Sequence, residues 1–545
     1  MLAALLAACA AGPERPSATD ASADTLVAEV AAQRGDCRTA ADSYARSAMA
    51  PQLPEATLKR ALEVALDCQQ FAAAQALAQR WRQRAPGSAD AARQAGIVAL
   101  RLGQNDAAGE AFRDSVRLSG EDPGKILPEL AAAAAETGND FGSYRALRSA
   151  VDVTQLDAPS LVLLGSLAFE SFVFSDARAL AAAAIARDPQ SAAAQLLLAQ
   201  VLAGLDDANG AIGAANAARR LDPKGQPFAL AETLARLDRV EEARIELERL
   251  LQDDDAGPQA ERRLALLAFH EGDVQEAAGR FSQRLRTGDD PAEALFYLGA
   301  IAERHGNEQI ALDMYDRLVQ AGAGLIARRR AAAVLMKQGK RAEALAMLDA
   351  EAADKPGAAV DATLAKSALL LDSGAAADAL PLLDAALARY PAHPGLAYQR
   401  ALTLEGAGRV RESIAAFEAL YRRRPQDPGL MNALGYTLAD HGLGLARANR
   451  LITAALALTP DNPAMLDSLG WVRYRRGAGE QALVPLERAY RLSRDTEIGA
   501  HWGEVLWTLD RKGEARTVWA RALARDPDSR LLKATIARYL PAAPQ

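Results

Sequence analysis

The chain has 545 residues, of which half are apolar by type, 5% aromatic and 24% charged. Its 63 basic and 70 acidic residues leave a net charge of −7, which argues against nucleic acid or an anionic membrane surface as the main partner. One hydrophobic core does not extend over this length, so the fold must divide or repeat.

Residues 1–9 read MLAALLAAC and end in Leu6-Ala7-Ala8-Cys9. This looks like a bacterial lipobox, which implies cleavage behind Ala8 and lipidation of Cys9. The apolar run is short and lacks a basic start, which predicts a start codon upstream. Ala10 after the cysteine implies, as in lipoproteins generally, sorting to the outer membrane, anchored on the periplasmic side. Residues 10–24 hold Pro13 and Pro16 and then Ser, Ala and Asp, a composition that suits a flexible tether. No other segment has an apolar run long enough to cross a bilayer.

Residues 25–156 predict divergent helical repeats. They contain Cys37, in Gly35-Asp36-Cys37, and Cys68, in Leu66-Asp67-Cys68, at matching turns of adjacent hairpins. An oxidising periplasm permits a disulfide between them, and two free thiols in turns is the other reading. Neither a histidine nor a third cysteine is near, so no metal site is expected.

Residues 157–527 carry the strongest signal. Pro189, Pro223, Pro258 and Pro291 are spaced 33 to 35 residues apart, and so are Pro356, Pro391, Pro425 and Pro460, with Pro527 after one silent interval. Between prolines the anatomy is constant. Ala397, Ala401 and Leu404 form one apolar stripe, Gly408 breaks it, and Ile414, Phe417 and Leu420 form a second. Apolar residues at three- and four-residue steps describe one face of a helix, and a proline marks where a helix cannot continue. Gly299, Ala401, Gly435, Gly470 and Gly503 fall at equivalent places, where two helices of a hairpin would cross closely. The pattern resembles the tetratricopeptide repeat, which implies an all-α, right-handed superhelical solenoid of about fifteen hairpins. Residues 528–545 would supply a capping helix, Ser529 to Tyr539, and a tail.

No catalytic constellation accompanies this pattern. His270-Glu271 opens like a zinc-protease motif, but Val274 stands where the second histidine belongs. No phosphate loop and no nucleophile elbow occur in a suitable setting. The five histidines, His270, His305, His393, His441 and His501, read as structural or exposed. The chain is therefore expected to be no enzyme, to need no cofactor and to take no small-molecule substrate.

Aromatic residues gather after Pro425. Three successive first helices hold Asn432-Ala433-Leu434-Gly435-Tyr436, then Asp467-Ser468-Leu469-Gly470-Trp471-Val472-Arg473-Tyr474, then His501-Trp502-Gly503-Glu504-Val505-Leu506-Trp507. Aligned on their glycines, Asn432, Tyr436, Asp467, Trp471, Tyr474, Glu504 and Trp507 occupy offsets that in the tetratricopeptide family point into the concave groove. They could hold an extended peptide or a partner helix, or they could fill a tighter superhelix. Trp502 and Trp519 fall at core offsets. The block resembles a family of proteobacterial outer-membrane lipoproteins built of these repeats, including the lipoprotein partner of a periplasmic carboxyl-terminal processing protease. That resemblance implies a tethered adaptor that binds a periplasmic serine protease and presents its substrates, peptidoglycan hydrolases, for degradation. The alternative is a periplasmic scaffold for envelope or exopolysaccharide export and assembly complexes.

Overall fold

The computed structural model describes residues 18–50, 53–350 and 358–540. The described residues form 31 α-helices and one 3-10 turn, Val153–Gln155, with no strand among them. In chain order the helices pair into antiparallel hairpins, from Ala18–Gln33 with Cys37–Ser47 to Thr496–Thr508 with Lys512–Arg525. That makes fifteen hairpins, and the last helix, Arg530–Tyr539, packs on both helices of the final one. Cys9 and the rest of residues 1–17 lie outside the described residues. The first helix starts at Ala18, inside the stretch assigned to a tether. Past Pro16 no proline interrupts an alanine-rich run, and alanine is the best helix former.

The repeat is kept by backbone conformation more strictly than by proline. In every hairpin the turn between its two helices holds a residue in the left-handed region at the same place, at 32- to 35-residue steps from Gly35 to Asp510, and the turn at Gly442 adds a second, Gly444. Ten of the fifteen are glycines, for which this conformation carries no Cβ penalty. The others are Gln69, Phe172, Asp206, Asp238 and Asp510. The silent proline intervals are explained in the same way. Gly322 and Arg494 adopt positive φ where a proline would be due and end the helices before them. Pro258 and Pro291 start helices rather than ending them, since each lies in the first turn of the following helix, where a missing N–H goes unnoticed.

The small residues at helix crossings have a steric basis. A Cβ on Gly435 would stand 2.7 Å from Ile452, and one on Gly299 2.5 Å from Tyr315. At Gly470 it would press into Leu486 and lie 3.1 Å from the Ala482 carbonyl oxygen. These contacts are between the two helices of one hairpin, so the glycine sets how closely that pair approaches. The core is correspondingly alanine-rich, with one large buried side chain per hairpin at several places, such as Phe112, Phe281, Tyr315, Phe417 and Trp519.

The chain divides into two units. The first comprises residues up to Val151 together with Asp349–Arg400; the second comprises Asp152–Leu348 and Ala401 onward. The sequence places a boundary at 156/157 and gives no hint that 349–400 groups with the first unit.

Each unit contains a clasp between segments far apart in the chain. In the first unit, the Leu396 N–H donates to His393 Nδ1 (3.2 Å), so the proton sits on Nε2, which donates to Gln69 Oε1 (2.8 Å). The Gln69 amide in turn donates to the Asp361 carboxylate (3.2 Å), and Phe71 packs against the His393 ring at 5.0 Å. In the second unit the clasp is ionic. Asp461, 4% exposed, pairs with Arg488 and accepts from the Phe174 N–H (3.0 Å), while its own N–H donates to the Phe172 carbonyl (3.2 Å). Arg491 pairs with Asp206 (2.6 Å), Arg494 with Asp238 (2.5 Å) and Arg525 with Glu271 (3.5 Å). Five of the seven non-glycine left-handed residues, Gln69, Phe172, Asp206, Asp238 and Arg494, thus lie in these clasps. Strain at a residue of order 1 kcal/mol is tolerated where surrounding contacts over-determine the conformation.

Candidate partner-binding site

The C-terminal aromatic residues come together on three successive first helices, Pro428–Asp440, Pro463–Arg475 and Thr496–Thr508. Each starts from an Asp or Asn cap: Asp427, Asn462 and Asp495 accept from N–H groups of the first turn. Adjacent first helices pack side by side, so residues at one offset form a ladder across the repeats.

Trp471 sits at the centre and is buried, 7% exposed. Its indole N–H donates to Asp440 Oδ1 (3.1 Å), its ring stacks on His501 at 4.3 Å, and Tyr474 lies 5.3 Å away. His501 Nδ1 donates to Asp467, both carboxylate oxygens standing at 3.0 Å. Burial opposes charging His501, but the Asp467 carboxylate, with Glu497 and Glu504 nearby, outweighs it and raises the histidine's pKa. Tyr436 is half-buried beside His501, and its hydroxyl reaches Glu497 at 3.4 Å. Glu497 keeps contact with water yet is walled by protein. Loss of surrounding solvent pushes its carboxyl up, His501 opposing and Asp467 adding.

Two of the expected groove residues are occupied inside the protein. Asp467 is buried under His501, and Glu504, 5% exposed, pairs with Arg538 of the capping helix (3.2 Å). Trp507 stacks on Trp519 (5.6 Å), and Tyr539 of the capping helix lies tilted against it at 6.0 Å. Trp471 is likewise more wall than surface. The groups left half-buried at the edge are Asn432, Tyr436, Tyr474 and Trp507. Asn432 lies one helical turn before Tyr436, on the same face, and its Oδ1 is buried with no hydrogen-bond partner. Trp519 is core, 2% exposed, whereas Trp502, expected there too, is half-buried against Tyr490.

His501, read from sequence as structural or exposed, joins the ladder to its acids. The available signal was its offset: the neighbouring repeats carry Ala433 and Ser468 there. Cys37 and Cys68 are joined as a disulfide, their Cα atoms 5.3 Å apart. Among the described residues no three of His, Cys, Asp and Glu are grouped to hold a metal ion, and no helix is long and apolar enough to cross a membrane.

A tetratricopeptide-repeat family model matches residues 162–225, 228–290, 262–326 and 398–446. Over 211 residues the chain is 32% identical to the TPR repeat-containing protein PA4667 of Pseudomonas aeruginosa, a match that spans 39% of this chain and 36% of that protein's length. It is similar to TTC0263, a thermophilic TPR protein of Thermus thermophilus, at 25% identity and a TM-score of 0.31 over 33% of this chain and 98% of that one. It is also similar to yeast Tom70, at 14% identity and a TM-score of 0.35 over 70% and 96% of the two chains. The matched segments carry tetratricopeptide repeats, and such repeats mark a protein-binding scaffold.

Proposed function

We propose that this protein is a non-catalytic, lipid-anchored adaptor of the bacterial periplasm, whose C-terminal aromatic ladder docks a partner protein. The observation that carries the docking site is Asn432. A buried amide oxygen without a donor costs about 1–3 kcal/mol, and a partner's N–H would repay it. Tyr436 lies one helical turn further on the same helix, and Tyr474 and Trp507 continue the half-buried aromatic edge on the next two first helices, which the His501–Asp467 and Trp471–Asp440 hydrogen bonds tie together. Rigid aromatic groups give contact area at low entropic cost, and a polar neighbour sets the register of a bound chain.

The finer reading is an adaptor at the outer membrane, anchored through Cys9, that holds a periplasmic carboxyl-terminal processing protease and its peptidoglycan-hydrolase substrates. It rests on the resemblance of the 432–436, 467–474 and 501–507 blocks to adaptor lipoproteins. The Cys37–Cys68 disulfide supports an oxidising compartment. The test is a pull-down from envelope extracts with the full chain. Recovery of a PDZ-containing serine protease, lost with Tyr474→Ala, is expected. Recovery of synthase or porin subunits in its place would turn the reading to an export or assembly scaffold. Cys9→Ala is expected to move the protein from the membrane to the soluble periplasmic fraction; retention on outer-membrane vesicles would contradict the anchor.

A further inference from the structure

Within the second unit a cavity of about 1220 Å³ opens between the 169–271 hairpins and the helices Gly479–Ser493 and Lys512–Arg525. It lies beside the ionic clasp and does not include the aromatic ladder. Its walls are rich in arginine, and most of these are already neutralised: Arg263, Arg488, Arg491, Arg494 and Arg525 each form an ion pair. Arg236 and Arg521 also line the cavity and have no carboxylate partner among the described residues. Arg236 is accessible to water yet surrounded by protein. Loss of solvent pulls its pKa down, Glu232 opposing, and the Phe169 ring lies 5.4 Å from its guanidinium.

A second, independent observation points to a ligand. Tyr490, 5% exposed, stands in the same wall, and its hydroxyl is buried with no hydrogen-bond partner. Trp502, Phe169 and Phe172 give the cavity an aromatic lining. The cavity thus offers two uncommitted guanidinium groups, one idle hydroxyl donor and aromatic walls, in a chain whose net charge is −7.

We propose that this cavity binds a segment of a partner protein in which a carboxylate stands next to an aromatic or large apolar side chain. The carboxylate would lie between Arg236 and Arg521 and accept from the Tyr490 hydroxyl, and the neighbouring side chain would rest on Trp502 and Phe169. Planar guanidinium forks match carboxylate geometry, and charge-assisted hydrogen bonds in a walled site are the strong ones. A polyanion is disfavoured, because the paired carboxylates Asp206, Asp238 and Glu271 also line the cavity and would repel it. The site is independent of the proposed adaptor role and of the ladder that would serve it.

The test uses the purified full chain and two unlabelled peptides of neutral Gly and Ser residues, one holding a single Glu beside a Trp and its twin a Gln beside a Trp, both amidated at the C-terminus, followed by calorimetry. The acidic peptide is expected to bind at least about tenfold more tightly than the twin, and Arg236→Gln or Arg521→Gln to erase most of that difference. Tyr490→Phe is expected to weaken the acidic peptide several-fold without lowering the melting temperature, because it removes a buried hydroxyl that bonds nothing. Millimolar inorganic phosphate is expected not to compete, and Trp471→Ala to leave peptide binding unchanged. Equal affinities for the two peptides, wild-type binding by both arginine variants, displacement by phosphate, or loss of binding through Trp471→Ala would each overturn the proposal.

Discussion

The two units close on distant parts of their own chain by opposite chemistry. In the first, His393, Gln69 and Asp361 form a chain of hydrogen bonds around a neutral imidazole. In the second, Asp461, Asp206, Asp238 and Glu271 each take an arginine. The contrast extends to the histidines. Burial, with Arg101 adding, holds His393 at a pKa of about 4, whereas the acids around His501 raise it despite its burial. A solenoid need only bond neighbour to neighbour, so these long-range clasps are additions to the repeat. Their chemistry decides which condition loosens which unit.

Acid should separate the two most clearly. The His393 pKa is depressed in the folded state, so its contribution is present above the ordinary value near 6.5 and is lost as pH falls through about 4. Protonation also turns Nδ1 from the acceptor of the Leu396 N–H into a second donor. A shift from 6.5 to about 4 sets an upper bound of roughly 3 kcal/mol. The His501 pKa is raised, so its contribution is complete below about 6.5 and fades as pH rises through the raised value. Hydrogen exchange at pH 4 should therefore open the 66–72 and 391–397 segments while the 467–471 segment stays protected. Equal loss in both would break the comparison.

Substitution at Asp461 should come next. Asp461→Ala leaves the Phe174 N–H without an acceptor and removes the partner of Arg488, for a loss of roughly 2 kcal/mol. Burial raises the Asp461 pKa, the Phe174 N–H opposing, so a neutral side chain is well tolerated at that place. Asp461→Asn, which keeps an acceptor, should lose less than about 1 kcal/mol. Chemical denaturation of the three proteins checks both. In the first unit, Gln69→Ala should lose about 1–2 kcal/mol by leaving His393 Nε2 without an acceptor. Gln69→Gly should lose less, because glycine relieves the left-handed backbone at φ 54°. The smallest effect is that of salt. The exposed pairs Arg491–Asp206 and Arg494–Asp238 are worth up to about 1 kcal/mol each, so molar salt should speed exchange at 203–240 and 487–496 and leave 66–72 unchanged.

Much of the fold could be read from the sequence, because each hairpin repeats a local rule. A small residue marks the crossing, as at Gly299 and Gly470, and a breaker marks the turn, as at Gly408. Where the breaker was Asp238 or Phe172, the rule was invisible, since those residues hold the same conformation through contacts made elsewhere in the chain. The clasps lie beyond sequence reach for that reason: Gln69 and Asp361 are 292 positions apart. For the candidate site, the offsets located the ladder but not its accessible part. They assigned Asp467 and Glu504 to the groove, and both are taken up by side chains from later in the chain, His501 and Arg538. They also gave no sign that the capping helix brings Tyr539 beside Trp507.

The docking site is tested most directly at Asn432. Asn432→Ala removes an amide oxygen that is buried and bonds nothing within the protein. Melting temperature and affinity for the serine protease recovered from envelope extracts should be measured on the same preparation. The account predicts a binding loss of about 1–3 kcal/mol with a melting temperature that does not fall. A lowered melting temperature with unchanged affinity would contradict it, and would make the ladder part of the core.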